Sequence, residues 1–201
     1  MVFRSLGFRR PDVDPALAAR TPPGQYLTER WPVLHDGSIP RFDEALWSFT
    51  VLGTVETELS FTWAEFLKLP MVTTHADMHC VTRWSKLDND WRGVSARELI
   101  RRAAVKPETA FVQFICEAGY TTSIPYRTFD RDDVLLAISH NDERLSPEHG
   151  FPLRAVVPPL YAWKSAKWLR QIRFLTADEL GFWERYGYNN HADPWREERF
   201  S

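Results

Sequence analysis

The chain has 201 residues and a formal net charge of −2, which suits one domain able to bury a substantial core without staples and gives no basic field for nucleic acid. Nine Trp and 13 Phe leave two uses open, large rings in the core or the aromatic walls of a deep pocket. The two cysteines, Cys80 and Cys116, allow one bridge at most, and neither their spacing nor an export signal argues for it.

The opening stretch MVFRSLGFRRPDVDP has an Arg pair, but Pro11, Asp12 and Asp14 break it before any apolar run of the kind a leader needs. No apolar stretch is long enough to span a bilayer. The expectation is therefore a cytoplasmic protein, periplasmic if a leader has been removed. Residues 1–40, rich in Pro and Gly, read as an irregular arm laid over a body formed by residues 41–201. Tyr26, Leu27, Trp31, Val33 and Leu34 make that arm too apolar to stay solvated.

Trp47 to Val55 and Glu58 to Phe61 alternate as a hairpin, with a bulge expected at Gly53. Thr62 and Glu65 have capping-box spacing for a short helix that Pro70 stops. Met71 onward reads as a strand ending at Cys80, followed by Arg83-Trp84-Ser85 and a polar loop, Lys86 to Asp90. Ser95 and Glu98 repeat the capping-box spacing before the helix SARELIRRAA. FVQFIC, a Gly turn and TTSIPY read as two strands, and DRDDVLLAI supplies another apolar run before the turn at His140 to Glu143. Thr176 and Glu179 show a third capping spacing, predicting a helix over TADELGFWERYGY. Strands mixed with short helices, without repeated crossovers, favour an α+β body.

Cys80 has two readings. A thiol at a strand end with Arg83 three residues on can be held as thiolate, the form that ligates soft metals, or it can pack as a small buried hydrophobe. A zinc-dependent hydrolase using His75, His79 and Cys80 is the weaker alternative, because on a strand the spacing of the two histidines holds them apart and no HExxH or CxxC motif supports it.

The segment HCVTRWSKLDNDWRGVSARELI resembles the metal-ligand segment of the sulfite oxidase family, above all its small haem-free members similar to bacterial sulfoxide-reductase catalytic subunits. HGFPLR, His149 to Arg154, and KSAKWL, Lys164 to Leu169, are similar to that family's cofactor-binding blocks. The resemblance implies a single mixed α/β molybdopterin-binding domain holding molybdenum-molybdopterin and no haem, with Cys80 as the one protein ligand to the metal. It implies cofactor contacts from His149, Arg154, Ser165, Ala166 and Lys167, from Arg30 in an arm closing over the pterin, and from Cys116, whose other reading is strand packing. It also implies a pocket tyrosine, Tyr188, with Tyr186 the alternative.

The chemistry asks for similar groups independently. A phosphate monoester takes a guanidinium fork and an ammonium, and Arg154, Lys164 and Lys167 lie in apolar stretches where an unpaired charge is expensive. For Lys164, snorkelling to water stays open. The implied activity is oxygen-atom transfer to or from a small sulfur-containing substrate. Arg83, Arg92 or Arg154 would draw in an oxyanion such as sulfite, whereas Trp-rich walls suit a neutral sulfoxide. Electrons would pass through a separate donor or acceptor protein. A non-catalytic molybdopterin-binding protein is the alternative that an intact Cys80 speaks against.

Overall fold

The computed structural model describes residues 14–201. The expectation about the first thirteen residues lies outside the described part. A short helix α1 (Pro15–Ala18) and a two-residue strand β1 (Tyr26–Leu27) are the regular elements of the arm. The body contains β2 (Ser48–Gly53), β3 (Leu59–Thr62), α2 (Trp63–Phe66), β4 (Met71–His79), β5 (Trp84–Ser95), α3 (Ala96–Ala103), β6 (Phe111–Cys116), β7 (Thr121–Pro125) and α4 (Tyr126–Phe129). It continues with β8 (Leu135–His140), β9 (Glu143–Arg144), β10 (Arg154–Val156), β11 (Leu169–Leu175) and α5 (Phe182–Arg185).

One sheet runs β1-β5-β8-β10, with β4 paired to β5 and β9 to β8; the other runs β3-β2-β11-β6-β7. Most pairs are antiparallel. The exceptions are β1 on β5, and β11 on β2, which joins chain ends far apart in sequence. Residues from both sheets share one apolar core in which Phe49, Trp91, Leu99, Phe114, Leu136, Ile172 and Phe174 are buried. Phe49, Phe66, Phe114, Phe129 and Phe174 place much of the phenylalanine in this core, beside contacts such as Trp47 edge-on to Trp63 at 5.1 Å. Among the described residues no helix is long and apolar enough to cross a membrane.

The hairpin of β2 and β3 and the Thr62–Glu65 capping box form as the sequence predicts. At Gly53 the chain takes φ +100°, and an added Cβ would lie 2.1 Å from the Phe174 carbonyl oxygen, so the close pass to β11 requires glycine. Three local expectations fail. Lys86–Asp90 is not a loop but the middle of β5, with Asp88 at φ +57° where the register slips against β4. The buried Asn89 makes this possible: its amide donates to the carbonyls of Ala76 and Lys86, and its oxygen accepts from His140 Nε2 at 2.9 Å. Ser95 precedes α3 without a side-chain cap, because Glu98 is held by Arg101 and Arg102. Only α5 of the predicted C-terminal helix forms; Glu179 pairs with Arg173, and Asp178 takes Ser123 and Asn190, so neither carboxylate is free to cap a helix.

Candidate active site

The turn from β4 to β5 delivers Cys80. Its amide donates to the Trp84 carbonyl at 2.9 Å, and the Arg83 amide donates back to the Cys80 carbonyl at 3.0 Å. Arg83, at φ +76°, occupies the left-handed position that closes the turn. Strand alternation does the rest: His79 turns to Ser85 at 2.8 Å, while Met78 and Cys80 face a cavity of about 360 Å³. Thr82 Oγ1 donates to the Cys80 sulfur at 3.2 Å.

Burial pushes the Cys80 thiol up, against the pull of Thr82, the Val81 and Thr82 amides and the charge on Arg199. The cation acting on it is thus Arg199 and not Arg83, whose side chain is exposed. Stretches of chain from the arm to the C-terminal helix close round the cavity, and Cys80, His149, Arg154, Ser165, Ala166, Lys167 and Tyr188 all line it.

The cationic end is built by the blocks at 147–157 and 164–169. Gly150, at φ +108°, lets the chain turn where an added Cβ would press within 3.1 Å of both Arg154 and Lys167 side chains. Arg154 is 3% exposed and donates to the carbonyls of His149 at 3.0 Å and Ser165 at 2.9 Å. Lys167 Nζ donates to the Glu148 carbonyl at 2.7 Å. Neither cation has a carboxylate salt-bridge partner among the described residues. Burial pulls the Arg154 guanidinium down to about 9, and burial with the charge on Arg154 pulls Lys167 down to about 7.

His149 is held neutral in the same way, at about 4. Trp31 of the arm stacks on it with ring centroids 3.7 Å apart and planes 7° from parallel. Trp31 and Trp91 also flank the Arg154 guanidinium at 5.3 and 5.4 Å. Along Ala166, Lys167 and Trp168 the backbone amides have no acceptor among the described residues, and Trp168 sits at φ +55°. Successive free amides of this kind form an anion cradle.

A second part of the wall is aromatic. Trp163, Phe182, Trp183 and Tyr188 line it, with Tyr188 5.1 Å from Trp163 and 5.0 Å from Trp183. Behind them Lys164 and Glu184 form an ion pair at 2.6 Å, both side chains wholly buried, and Glu184 also accepts from Trp163 Nε1 and the Thr122 hydroxyl.

Several sequence candidates lie elsewhere. Arg30 is solvent-exposed and outside the cavity wall, because the arm turns Trp31 inward in its place. Cys116 is buried in the core on β6, one residue short of the wall that begins at Glu117, and burial pushes its thiol far up. Lys164 neither snorkels nor faces the cavity. Tyr186 is 72% exposed, leaving Tyr188 as the tyrosine on the wall. His75 is exposed against Asp88 and Asp90, so the histidines and Cys80 do not converge. Arg83 and Arg92 are exposed and absent from the wall. Sequence reading missed Thr82, Gln25 and Arg199; Gln25 and Arg199 reach the turn across 55 and 118 positions, which no local pattern marks, whereas Thr82 lies two residues from Cys80 and its hydroxyl was a local signal left unread.

The residues present fit a molybdopterin. A buried thiol, the buried Arg154 and half-buried Lys167 without carboxylate salt-bridge partners among the described residues, and a run of free amides share one cavity with room for an organic ligand. The model of the oxidoreductase molybdopterin-binding domain matches residues 36–183. An uncharacterized oxidoreductase of Bacillus subtilis, YuiH, is 44% identical over 92% of this chain and 93% of its own. The protein-methionine-sulfoxide reductase catalytic subunit MsrP of Campylobacter jejuni is 30% identical over 75% of this chain and 56% of its own. The crystal structure of the sulfane dehydrogenase SoxCD of Paracoccus pantotrophus superposes with a TM-score of 0.66 at 20% identity, covering 97% of this chain and 62% of that one. A fold of that kind, a cavity suited to the cofactor and a family match across most of the body lead to one assignment: the chain belongs to the oxidoreductase molybdopterin-binding domain family and is a molybdopterin-dependent oxidoreductase of the sulfite oxidase type.

Proposed function

We propose that this oxidoreductase transfers an oxygen atom at sulfur, reducing a small neutral sulfoxide to the thioether, with Cys80 as the one protein ligand to molybdenum. Two electrons and two protons enter, and thioether and water leave. The observation that carries the substrate class is the division of charge in the cavity. Its cations, Arg154 and Lys167, meet beside Gly150 close to His149, while Trp163, Phe182, Trp183 and Tyr188 pack on one another as a separate aromatic group of the wall. If the cofactor's phosphate takes the cationic group, no Arg or Lys side chain among the described residues remains on the wall to neutralise a substrate oxyanion such as sulfite.

Bound there, the molybdenum centre would supply the two-electron change and the oxygen-atom transfer itself. The chain's part is placement. Cys80 presents its sulfur from a rigid turn, and Thr82 donates a hydrogen bond to that sulfur, favouring the thiolate that a soft metal requires. Arg154, Lys167 and the amides of Ala166 to Trp168 would hold the phosphate, with Ser165 fixed beneath them by its hydroxyl accepting from the Val157 amide at 2.9 Å. Trp31, stacked on His149, would seal that end, the role expected for an arm comprising residues 1–40 over a body of residues 41–201. The aromatic wall excludes water and grips an apolar substrate, and the Tyr188 hydroxyl would donate to negative charge developing on the sulfoxide oxygen. Electrons would come from a separate redox protein, as the naming of MsrP as a catalytic subunit suggests for that relative.

Two measurements test this. Elemental analysis of the wild type should find molybdenum near one per chain, lost with turnover but not with folding in Cys80→Ser. Assays against methionine sulfoxide with a reduced dye and against sulfite with an oxidised dye should show turnover in the first alone; efficient sulfite oxidation would reverse the proposed substrate class.

A further inference from the structure

We infer that Arg199, in the C-terminal tail, is a positioning residue that fixes the Cys80 turn relative to Tyr188; the inference rests on the reading of Cys80 given above. Arg199 does not line the cavity, so it acts through its neighbours. Its side chain is only 7% exposed. Nη1 donates to the carbonyl of Val81, the residue after Cys80, at 2.9 Å. Nη2 donates to the carbonyl of Pro23 in the arm at 3.3 Å, and the guanidinium carbon lies 4.9 Å from the ring centre of the buried Tyr161.

The backbone of the same residue holds the other partner. Its carbonyl accepts from the Asn189 amide at 3.1 Å, Phe200 forms an antiparallel bridge with Tyr188, and the Ser201 amide donates to the Gly187 carbonyl at 3.0 Å. One residue therefore ties the thiol's turn to the segment that carries the pocket tyrosine. The arm completes the clamp: Gln25 Nε2 donates to the Cys80 carbonyl at 3.0 Å. It passes so close that a Cβ on Gly24, at φ +69°, would stand 2.5 Å from Glu197 Oε1 and 3.3 Å from Arg199 Nη2.

The guanidinium's nearest carboxylate is that of Glu197, 3.7 Å away and half exposed. Its other partners are carbonyls, and Nε has none. A charge held so deep is a poor source of stability. The planar fork reaches the Val81 and Pro23 carbonyls together, which an ammonium on a flexible stem does not reproduce.

The test compares the loaded wild type with Arg199→Gln and Arg199→Lys by metal content, cooperative unfolding, steady-state kinetics and the paramagnetic molybdenum signal. The expected result is folded, molybdenum-loaded variants in which kcat falls roughly 10- to 100-fold in Arg199→Gln with KM little changed. The molybdenum signal should shift in the same variant, with Arg199→Lys intermediate in both. Should Arg199→Gln fail to fold, the Lys variant alone is read for the shifted signal and reduced kcat. A wild-type signal and kcat in a loaded variant overturns the inference while leaving the Cys80 assignment standing. A wild type that carries no molybdenum overturns both.

Discussion

Replacing Arg154 with Met separates a guanidinium that waits for an anion from one that braces the fold. Burial that lowers the side chain to about 9 makes holding its charge in the cofactor-free protein cost on the order of 5 kcal/mol. Against this, removing the fork leaves the carbonyls of His149 and Ser165 unpaired, at about 1–3 kcal/mol each. The two effects nearly cancel, since Met keeps most of the packed stem between Trp31 and Trp91. Urea unfolding of the cofactor-free proteins should therefore place Arg154→Met between about 1 kcal/mol less and 3 kcal/mol more stable than the wild type. Loading should move the other way, with molybdenum per chain falling at least about tenfold. Millimolar inorganic phosphate should raise the midpoint of the wild type but not of the variant. A variant destabilised by more than about 3 kcal/mol that still loads fully would refute the reasoning, because it would make the guanidinium a strut.

Three further outcomes are expected. In the cofactor-free protein Lys167 titrates at about 7 against an ordinary 10.5, and His149 and His140 at about 4 against 6.5. The unfolded chain binds more protons in both windows, so stability should rise with pH from about 4 to 6.5 and again from about 7 to 10.5. Thermal melts across pH should show the upper rise flattened in the loaded protein, whose anion holds Lys167 charged; equal slopes would remove Lys167 from the anion site. Tyr188→Phe should lower kcat for sulfoxide by about 10- to 100-fold with molybdenum retained, as read by steady-state kinetics, whereas Tyr186→Phe should change nothing. Lys164→Met should cost about 3–5 kcal/mol in chemical denaturation by stranding the buried Glu184, and Lys164→Met with Glu184→Leu should recover most of it.

How far the sequence could be read depended on how local the deciding contact is. The hairpin of β2 and β3 and the Thr62–Glu65 cap were legible because alternation and side-chain reach act over a few residues. Lys86–Asp90 misled because polar side chains signal a loop only when nothing distant answers them; here Asn89 receives His140 from 51 residues away and the strand continues. Glu179 misled for the same reason, its carboxylate already engaged by Arg173. The blocks holding Cys80, Arg154 and Lys167 were visible as motifs, since each packs several chemically unusual residues into a short run.

What no motif could rank was the three cations Arg154, Lys164 and Lys167, each set in apolar sequence. Their roles differ by one neighbour. Lys164 meets a carboxylate and becomes part of the wall's support, whereas Arg154 and Lys167 meet only carbonyls and keep charge to spare. That neighbour is Glu184, 20 positions downstream on a helix whose sequence promised three turns and delivered one. The tail that follows this helix brings Arg199 back to the Cys80 turn, so long-range closure of the kind that hid the cation assignment from the sequence also gathers the thiol, the two cations and the tyrosine around a single cavity.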